Sequence, residues 1–572
     1  MLPDRWIIDR APTERFPDYT RANAGEVLAD PVTPLGWTFC WESGVVLGCR
    51  EGFATFGVFD ADEYGDPPEC FGLFGGYFYN SLTQARLLGV RMPGASPEQI
   101  DEAYFDEHPD VPPYVPKPWH ESERHSQKLT ETAGYVMSTD VHQPVLDQQD
   151  TAKRIRDERP DLAAVSNEEL VARARSLQPQ MVDNFKHHVT SSLGASFGPG
   201  TIAAVVADLG RPDDGLRLIT GIGDVDSADI ARELWVLSRM IRNRDEWTAE
   251  FDVGLDDLDE RLAGTEFADA FDIFLYNHGS RGPNEWDPGA ESYETNPGLA
   301  YAQLDVLRRQ ADDADPVAAL ERKAAERAQI AAEIEKLLAG NEETLGTFRA
   351  GMKSSGIFLA ARERSKCTNI RVIHEARMCF DELGRRMAQA GHIELPGQIY
   401  MLLEAELDDF LADPGSFGPA LAQREAEHRS LYDLEPPFII THQAPPISEW
   451  PRKAEAVLAP AEAGSVLTGV ACSPGTATGT ARVILDPHDP SALGPGEIMV
   501  TVQTDPSWTP LFLAAGAVVT NVGAPASHAS IVSRELGIPC VASVPDATLV
   551  IPDGATVTVD GTAGTVTIDD AP

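Results

Sequence analysis

The chain of 572 residues is too long for one hydrophobic core, so two to four domains are expected. Its apolar share of 42% and charged share of 24% are those of an ordinary globular protein. The formal net charge of −44 argues against a nucleic-acid or anionic-membrane surface, because phosphates would be repelled.

The opening, MLPDRWIIDRAPTERF, has no basic region followed by an apolar core, so no signal peptide is expected. No uninterrupted apolar run approaches the ~20 residues that span a bilayer. The seven cysteines are scattered without a CxxC pair. Neither a disulfide framework nor a zinc or other metal site is expected, and a reducing cytoplasm is the default location.

Residues 1–120 are rich in aromatics, Gly and Pro. ADPVTPLGWTFCW and CFGLFGGYFYNSL alternate apolar runs with turn-formers and predict short strands mixed with helices. ASPEQIDEAYF opens a helix with Ser96 as N-cap, Pro97 at the first helical position and Gln99 completing a capping box. From about 150 to 435 the spacing is helical. Ser166 caps SNEELVARARSLQPQMVDNFKHHV, and DIARELWVLSRMIRN is a second amphipathic run. DPVAALERKAAERAQIAAEIEKLLAG stops at Gly340, and NIRVIHEARMCFDELGRRMAQAG stops at Gly391.

Residues 436–467 carry six prolines and many alanines, which predicts a semi-rigid hinge linker. Beyond it the rhythm changes. VLTGVACSPGTATGTARVIL, EIMVTV, AVVTNV and PCVASV read as strands, PSWTPLFLAAG and SHASIVSRELG as helices, and GATVTVDGTAGTVTID as a closing hairpin. The expected fold class is multidomain α/β. A mixed N-terminal region and a large helical domain fill 1–435, and a β/α domain fills 468–572.

One stretch concentrates the chemistry: TNVGAPASHASIVSRELGIPCV, residues 520–541. Its small side chains let a ligand approach the backbone. Ser527 and His528 stand where a helix begins, and free N–H groups with the helix dipole favour an anion there. A histidine at that tip can take a phosphoryl group on a ring nitrogen. The alternative is a helix-tip histidine with no role beyond structure.

GAPASHASIVSRELGIPCV resembles the phosphohistidine signature of the PEP-utilising enzymes, among them PEP synthase, pyruvate phosphate dikinase and the rifampin phosphotransferases. Gly523, Ser527, His528, Ala529, Ser530 and Arg534 match it, while Ala524 and Ala526 depart from it. GVACSPGTATGTARVI, TDPSWTPLF and ATVTVDGTAGTV are similar to the flanks of that family's swivelling domain. The resemblance implies that His528 carries the phosphoryl group, that Gly523, Ser527 and Ala529 shape its loop, and that 468–572 swivels.

NAGEVLADPVTPL, FDIFLYNHGSRGPNEWDPGAESYETNP and RERSKCTNIRVIHEARMCFDELGRRMAQAGHIELPGQIYMLLEAEL are similar to the acceptor-binding portion of rifampin phosphotransferase. About 44 residues follow His528, too few for the pyruvate-binding barrel of ~250 residues. No ATP-grasp pattern is found. ATP and Mg2+ are therefore expected on a separately encoded ATP-grasp subunit. That arrangement resembles the phenylphosphate and 4-methylphenyl phosphate synthases, whose reaction turns ATP, a phenol and water into an aryl phosphate, AMP and phosphate. The aromatic-rich N-terminal part suits a small phenolic acceptor, although each ring alone fits a core equally. The alternatives are an antibiotic or other alcohol as acceptor, or a non-catalytic phosphocarrier.

A phenol needs a base to take its proton and cations to hold the phosphoryl group. NHGSRGPNEWD offers His278, Arg281, Glu285 and Asp287. Arg281 would clamp phosphoryl oxygens, and His278 or Glu285 would be the base. The competing reading is a solvated loop with a salt bridge. His187 and His188 face different sides of one helix, so at most one reaches a site. His374 with Glu375 and Arg377 is a further candidate set, and Arg362 and Arg364 fit a surface equally.

Overall fold

The computed structural model describes residues 4–105, 111–223, 226–312, 315–453, 458–485, 493–504, 508–523 and 527–571. The chain forms two compact units. The first comprises Met1–Gly194, Trp286–Ala290 and Arg364–Ala456, and the second comprises Ala195–Glu285, Glu291–Glu363 and Val457–Pro572. The result is a multidomain α/β protein with a sheet domain at its C-terminal end.

In the first unit the strands β1 (Asp18–Thr20), β2 (Phe71–Phe74), β3 (Tyr77–Ser81) and β4 (Ile439–Thr441) form a four-stranded antiparallel sheet, ordered β2-β3-β1-β4. Gly75 and Gly76 make the β2–β3 turn at φ 56° and 76°, a left-handed pair that glycine adopts without strain. β4 lies inside the stretch expected to be a hinge. Its Ile440 pairs with Tyr19 of β1, and Ile447 and Trp450 beyond it are buried. A short β-branched run, PFIIT, finds an open sheet edge, and that pairing outweighs the local influence of the prolines.

The expected capping box at Ser96 and the expected cap at Ser166 are both formed, the second also as a box. Ser96 N donates to Gln99 Oε1 at 3.0 Å and Gln99 N to Ser96 Oγ at 3.3 Å. Ser166 and Glu169 cap the helix Asn167–Ser176 in the same way. A second helix, Gln178–Gly194, follows directly. The stretch Asn167–Asp208 contains a window apolar enough by composition to cross a membrane, but half of that window is buried in the protein, as in a core helix.

The N-terminal region does mix short strands with helices, and GWTFCWESGVVLGCREGFATF belongs to the helices. This stretch is one helical run, a π-helical segment Gly36–Val45 that continues as the helix Val46–Phe56. Its glycines are packing residues rather than turn-formers. Gly44, Gly48 and Gly52 recur every four residues and face the helix Gln178–Gly194. A Cβ at Gly48 would lie 2.4 Å from the Val182 carbonyl oxygen, and one at Gly52 would lie 2.6 Å from Val189 Cβ. Gly48→Ala should therefore force the two helices apart and cost about 1–3 kcal/mol, read as a lower unfolding midpoint in denaturant. An unchanged midpoint would show that this contact relaxes freely.

The second unit combines helices with a sheet. Phe197–Asp208, Asp226–Arg242, Glu266–His278, Gly298–Arg309 and Pro316–Leu337 are its main helices. Trp235, Phe251, Phe271 and Tyr301 sit in the core of this helical part. The strands are β5 (Val466–Thr468), β6 (Val470–Ser473), β7 (Thr476–Val483), β8 (Ile498–Thr501), β9 (Ala517–Thr520), β10 (Cys540–Ala542), β11 (Thr556–Asp560) and β12 (Thr565–Asp570). Among the described residues they form one eight-stranded sheet, ordered β5-β12-β11-β7-β8-β9-β10-β6.

Strands β7, β8, β9 and β10 run parallel. Parallel neighbours need crossovers, and the helices Thr509–Ala514 and His528–Leu536 supply the last two. Separate apolar clusters cover the two faces of the sheet. The helix His528–Leu536 packs on Pro316–Leu337, so the sheet domain is docked on the helices of its own unit.

Candidate active site

β9 is buried along its length and delivers the chain to the carboxyl ends of the parallel strands, where ligands bind in open α/β sheets. Ala524, Pro525 and Ala526 lie outside the described residues. Gly523 is boxed in. A Cβ there would lie 2.9 Å from Ala542 Cβ and 3.1 Å from Thr520 Oγ1, so close packing requires glycine. Ser543 Oγ donates to the Gly523 carbonyl at 2.5 Å and fixes the loop from below.

Ser527 is the N-cap of the next helix. Its Oγ accepts from Ser530 N at 3.3 Å and shares a hydrogen bond with Ser530 Oγ at 2.8 Å. His528 is then the first helical residue, at the positive end of the dipole. Its ring is half-buried. Thr504 Oγ1 lies 2.9 Å from Nδ1, and the Phe512 ring stands at 86° to the imidazole with centroids 5.8 Å apart. Thr504 and Phe512 hold the ring by a polar contact at one nitrogen and an edge contact at its face. The other nitrogen, Nε2, is buried. Ala529 is buried against the sheet.

The far end of this helix is anchored by charge. Arg534, fully buried, donates to the Cys472 carbonyl at 3.1 Å, and burial holds its guanidinium below the usual arginine range. Glu535 is 6% exposed. Burial raises its carboxyl above the usual range, opposed by Arg534, by the Ile222 and Gly223 N–H groups and by Arg327. A carboxyl raised in the docked state weakens docking as pH climbs from the ordinary carboxylate pKa through the raised one. Thermal unfolding of the protein should therefore lose stability across that window, and Glu535→Gln should flatten the loss. Identical pH profiles for both proteins would refute the linkage.

The segment NHGSRGPNEWD is not a solvated loop. His278, Arg281, Glu285 and Asp287 are 6%, 3%, 2% and 5% exposed. Arg281 Nε donates to Glu285 Oε2 at 2.5 Å and its NH2 to Oε1 at 3.2 Å, a forked and fully buried ion pair. His278 Nε2 lies 3.2 Å from Glu233 Oε2. Burial raises the Glu233 carboxyl, but the hydrogen bond and charge of His278, with Asn277 and Arg232, bring it below its usual range. Asp287 belongs to the first unit, whereas His278, Arg281 and Glu285 belong to the second. The Asp287 carboxylate accepts from Thr33 N (2.7 Å), Thr33 Oγ1 (2.6 Å) and Gly289 N (2.8 Å), a structural clasp.

The other candidates lie in the first unit or at its border. His187 sits 3.8 Å from Asp183 and His188 Nδ1 lies 3.0 Å from Ser365 Oγ, so the two rings do face different neighbours. His374 Nδ1 meets Arg377 at 2.9 Å, and Arg377 donates to the carbonyls of Asp287 and Pro288. Glu375 is buried among Arg159, Arg173 and Arg156 at 2.5, 3.1 and 3.8 Å. One carboxylate is thus held by three guanidinium groups, which leaves the cluster with a net positive charge. Arg362 and Arg364 are half-buried rather than surface residues.

Thr504, Glu233 and Glu535 were missed as partners. Thr504 stands in the quoted TDPSWTPLF, so a signal existed for it; Glu233 and Glu535 look in sequence like ordinary acidic helix residues. Among the described residues, Asp60, Glu63 and His125 are the one group whose ligand atoms lie close enough for a metal. Arg15 and Arg91 hold Glu63, and Arg124 holds Asp60, so the carboxylates are already neutralised and the group does not fit Mg2+.

Residues 493–564 match the PEP-utilising enzyme mobile domain. This part of the chain, which contains His528, is similar to that mobile domain. Residues 184–363 of the same chain match the rifampicin phosphotransferase fourth domain. An uncharacterized protein of Mycobacterium tuberculosis is 33% identical over 288 residues, 50% of this chain and 30% of that protein. A rifampicin phosphotransferase of Streptomyces sviceus is 30% identical over 326 residues, 56% of this chain and 36% of the enzyme. A probable phosphoenolpyruvate synthase of Staphylothermus marinus is 50% identical over 107 residues, 18% of this chain and 13% of that protein. The chain thus spans about a third of the length of the first two relatives.

Proposed function

We propose that this chain is the acceptor-binding and phosphohistidine-bearing part of an ATP-dependent phosphotransferase. In this reading His528 attacks the β-phosphoryl of ATP held, with Mg2+, on a separate ATP-grasp polypeptide. A nitrogen–phosphorus bond forms as the bond from phosphorus to the AMP oxygen breaks, and water takes up the γ-phosphoryl as phosphate. The phosphoryl group then passes from His528 to the oxygen of a small phenol. The sum is aryl phosphate, AMP and phosphate. No step on this chain runs through Mg2+.

The observation that carries the reading is the setting of His528. It is the first residue of a capped helix, held at Nδ1 by Thr504, within the residues that match the mobile domain. Anions are favoured at that tip by the positive end of the helix dipole. Nε2 is buried here, so transfer from it requires the histidine domain to move, as a swivelling domain does. His278 beside Glu233 is the proposed base for the acceptor hydroxyl, since a carboxylate partner orients an imidazole. The match of 184–363 to a rifampicin phosphotransferase domain favours a second reading, in which the acceptor is an antibiotic or another alcohol.

The test is reconstitution. The chain, an ATP-grasp partner and β-labelled ATP should place label first on the chain and then on an added phenol. The chain alone should neither bind nor turn over ATP. Turnover by the single polypeptide would contradict the separate donor site. Label that reaches the chain and never an aromatic hydroxyl would leave a phosphocarrier.

A further inference from the structure

Two thiols lie beneath the helix His528–Leu536. Strands β6 and β10 pair antiparallel, with Cys540 opposite Ser473 and Val541 opposite Ala471. Cys472 is thus the extra residue of a bulge, which sets two residues of β6 against one of β10. Cys472 and Cys540 share one apolar cluster with Ala529 and Val532 of the helix, on the same face of the sheet, and both are 0% exposed. Neighbouring antiparallel strands hold opposed Cα atoms about 4.5–5.5 Å apart, within the span of a disulfide.

The pair is chemically unequal. Cys540 donates its thiol hydrogen to Cys472, and this bond brings the Cys472 thiol down to about 7 against the effect of burial. Ser530, the Arg534 charge and the Ala542 N–H act in the same direction. Cys540, as the donor and by burial, is held well above the usual thiol range. Near neutral pH one sulfur is therefore a thiolate nucleophile and the other a protonated thiol beside it. Ser530 links this pair to the helix tip. Its hydroxyl meets Cys472 and lies 2.8 Å from Ser527 Oγ, the cap immediately before His528.

We propose that Cys472 and Cys540 are an oxidative modification site, joined by hydrogen peroxide into a reversible disulfide that disturbs the tip of the His528 helix. The Cys472 thiolate attacks a peroxide oxygen; a sulfur–oxygen bond forms, the oxygen–oxygen bond breaks and hydroxide leaves. The Cys540 sulfur then attacks Cys472; the disulfide forms, the sulfur–oxygen bond breaks, and the thiol proton leaves with the hydroxyl as water. The pair loses the two electrons that peroxide gains. Both thiols are buried, so local opening of the helix gates the reaction. Once oxidised, Cys472 carries no charge, so Ser530 loses its acceptor and Arg534 a neighbouring anion. The site stands on the thiols alone; its effect on phosphoryl transfer rests on the reading of His528 as carrier.

The test treats the full chain with hydrogen peroxide, removes the excess with catalase, alkylates free thiols and maps the peptides by mass spectrometry. Peptides joined through Cys472 and Cys540 should appear and should separate with dithiothreitol. Cys49 and Cys70 of the first unit also hydrogen-bond, but burial pushes the Cys49 thiol well up, so that pair should stay free for longer. Cys540→Ala should leave Cys472 as a sulfenic acid that dimedone traps, and Cys472→Ala should leave Cys540 reduced. Full alkylation of Cys472 and Cys540 after peroxide, or their oxidation no faster than Cys49 and Cys70, overturns the proposal. With the ATP-grasp partner and β-labelled ATP added after catalase, labelling should fall about tenfold and return with dithiothreitol. Cys472→Ala should keep its labelling through the same treatment. A mapped disulfide with unchanged labelling overturns the effect on His528. A reduced chain that never labels would sink the phosphotransferase reading and spare the disulfide, whereas a chain that labels and never forms the disulfide would do the reverse.

Discussion

His528→Ala should abolish phosphorylation of the chain, by more than about 10³-fold, while leaving it folded. Among the described residues the ring meets Thr504 through a hydrogen bond and Phe512 through an edge contact, and the cap that starts its helix is made by Ser527 and Ser530. Removing the imidazole therefore takes away the nucleophile and little of the fold. The measurement uses β-labelled ATP and the ATP-grasp partner, with label scored as acid-labile and base-stable. Circular dichroism and the unfolding midpoint should match wild type. Acid-labile label persisting on the folded variant would move the phosphoryl carrier to another residue. The same variant should fail to transfer phosphoryl to any acceptor, since both half-reactions of the proposed reaction pass through the one ring nitrogen.

Arg281→Met should destabilise the protein by about 3–5 kcal/mol, because it leaves the Glu285 carboxylate buried without its partner. The double replacement Arg281→Met with Glu285→Leu should recover most of that loss, since a well-packed apolar pair of similar volume commonly matches a buried ion pair. Chemical unfolding of the two single variants and the double variant gives the coupling directly. A single variant that loses less than about 1 kcal/mol would show that the pair is not held dry. The double variant also separates two roles. If Arg281 serves only the fold, the recovered protein transfers phosphoryl normally. If Arg281 also holds phosphoryl oxygens during transfer, the recovered protein still labels His528 and no longer passes the group on.

The arrangement of charge explains why these effects should be large. Despite a net charge of −44, the interior carries guanidinium groups at Arg281, Arg377 and Arg534, each held by carbonyls or carboxylates. Glu375 among three arginines follows the same rule. Buried charges survive only where partners surround them. In the C-terminal sheet domain the helix that starts at His528 is tied at both ends: Ser527 caps the start, and Arg534 and Glu535 fix the finish.

Several features were decided by local sequence alone. The boxes at Ser96 and Ser166 need only residues three apart. The strand and helix alternation from β5 to β12 follows from short apolar runs separated by glycines. The place of His528 follows from a contiguous loop, cap and helix, all within one stretch of chain. Tertiary structure decided the rest. Thr504 meets His528 across 24 residues of sequence, and Asp287 clasps Thr33 across 254. Gly44, Gly48 and Gly52 become a helix face only because another helix presses on them. The segment from His278 to Asp287 is divided between two units. Caps and turns are encoded by neighbours along the chain, so they can be read residue by residue. Contacts between distant segments depend on which faces come together on folding, and the segments that meet carry no mark of one another.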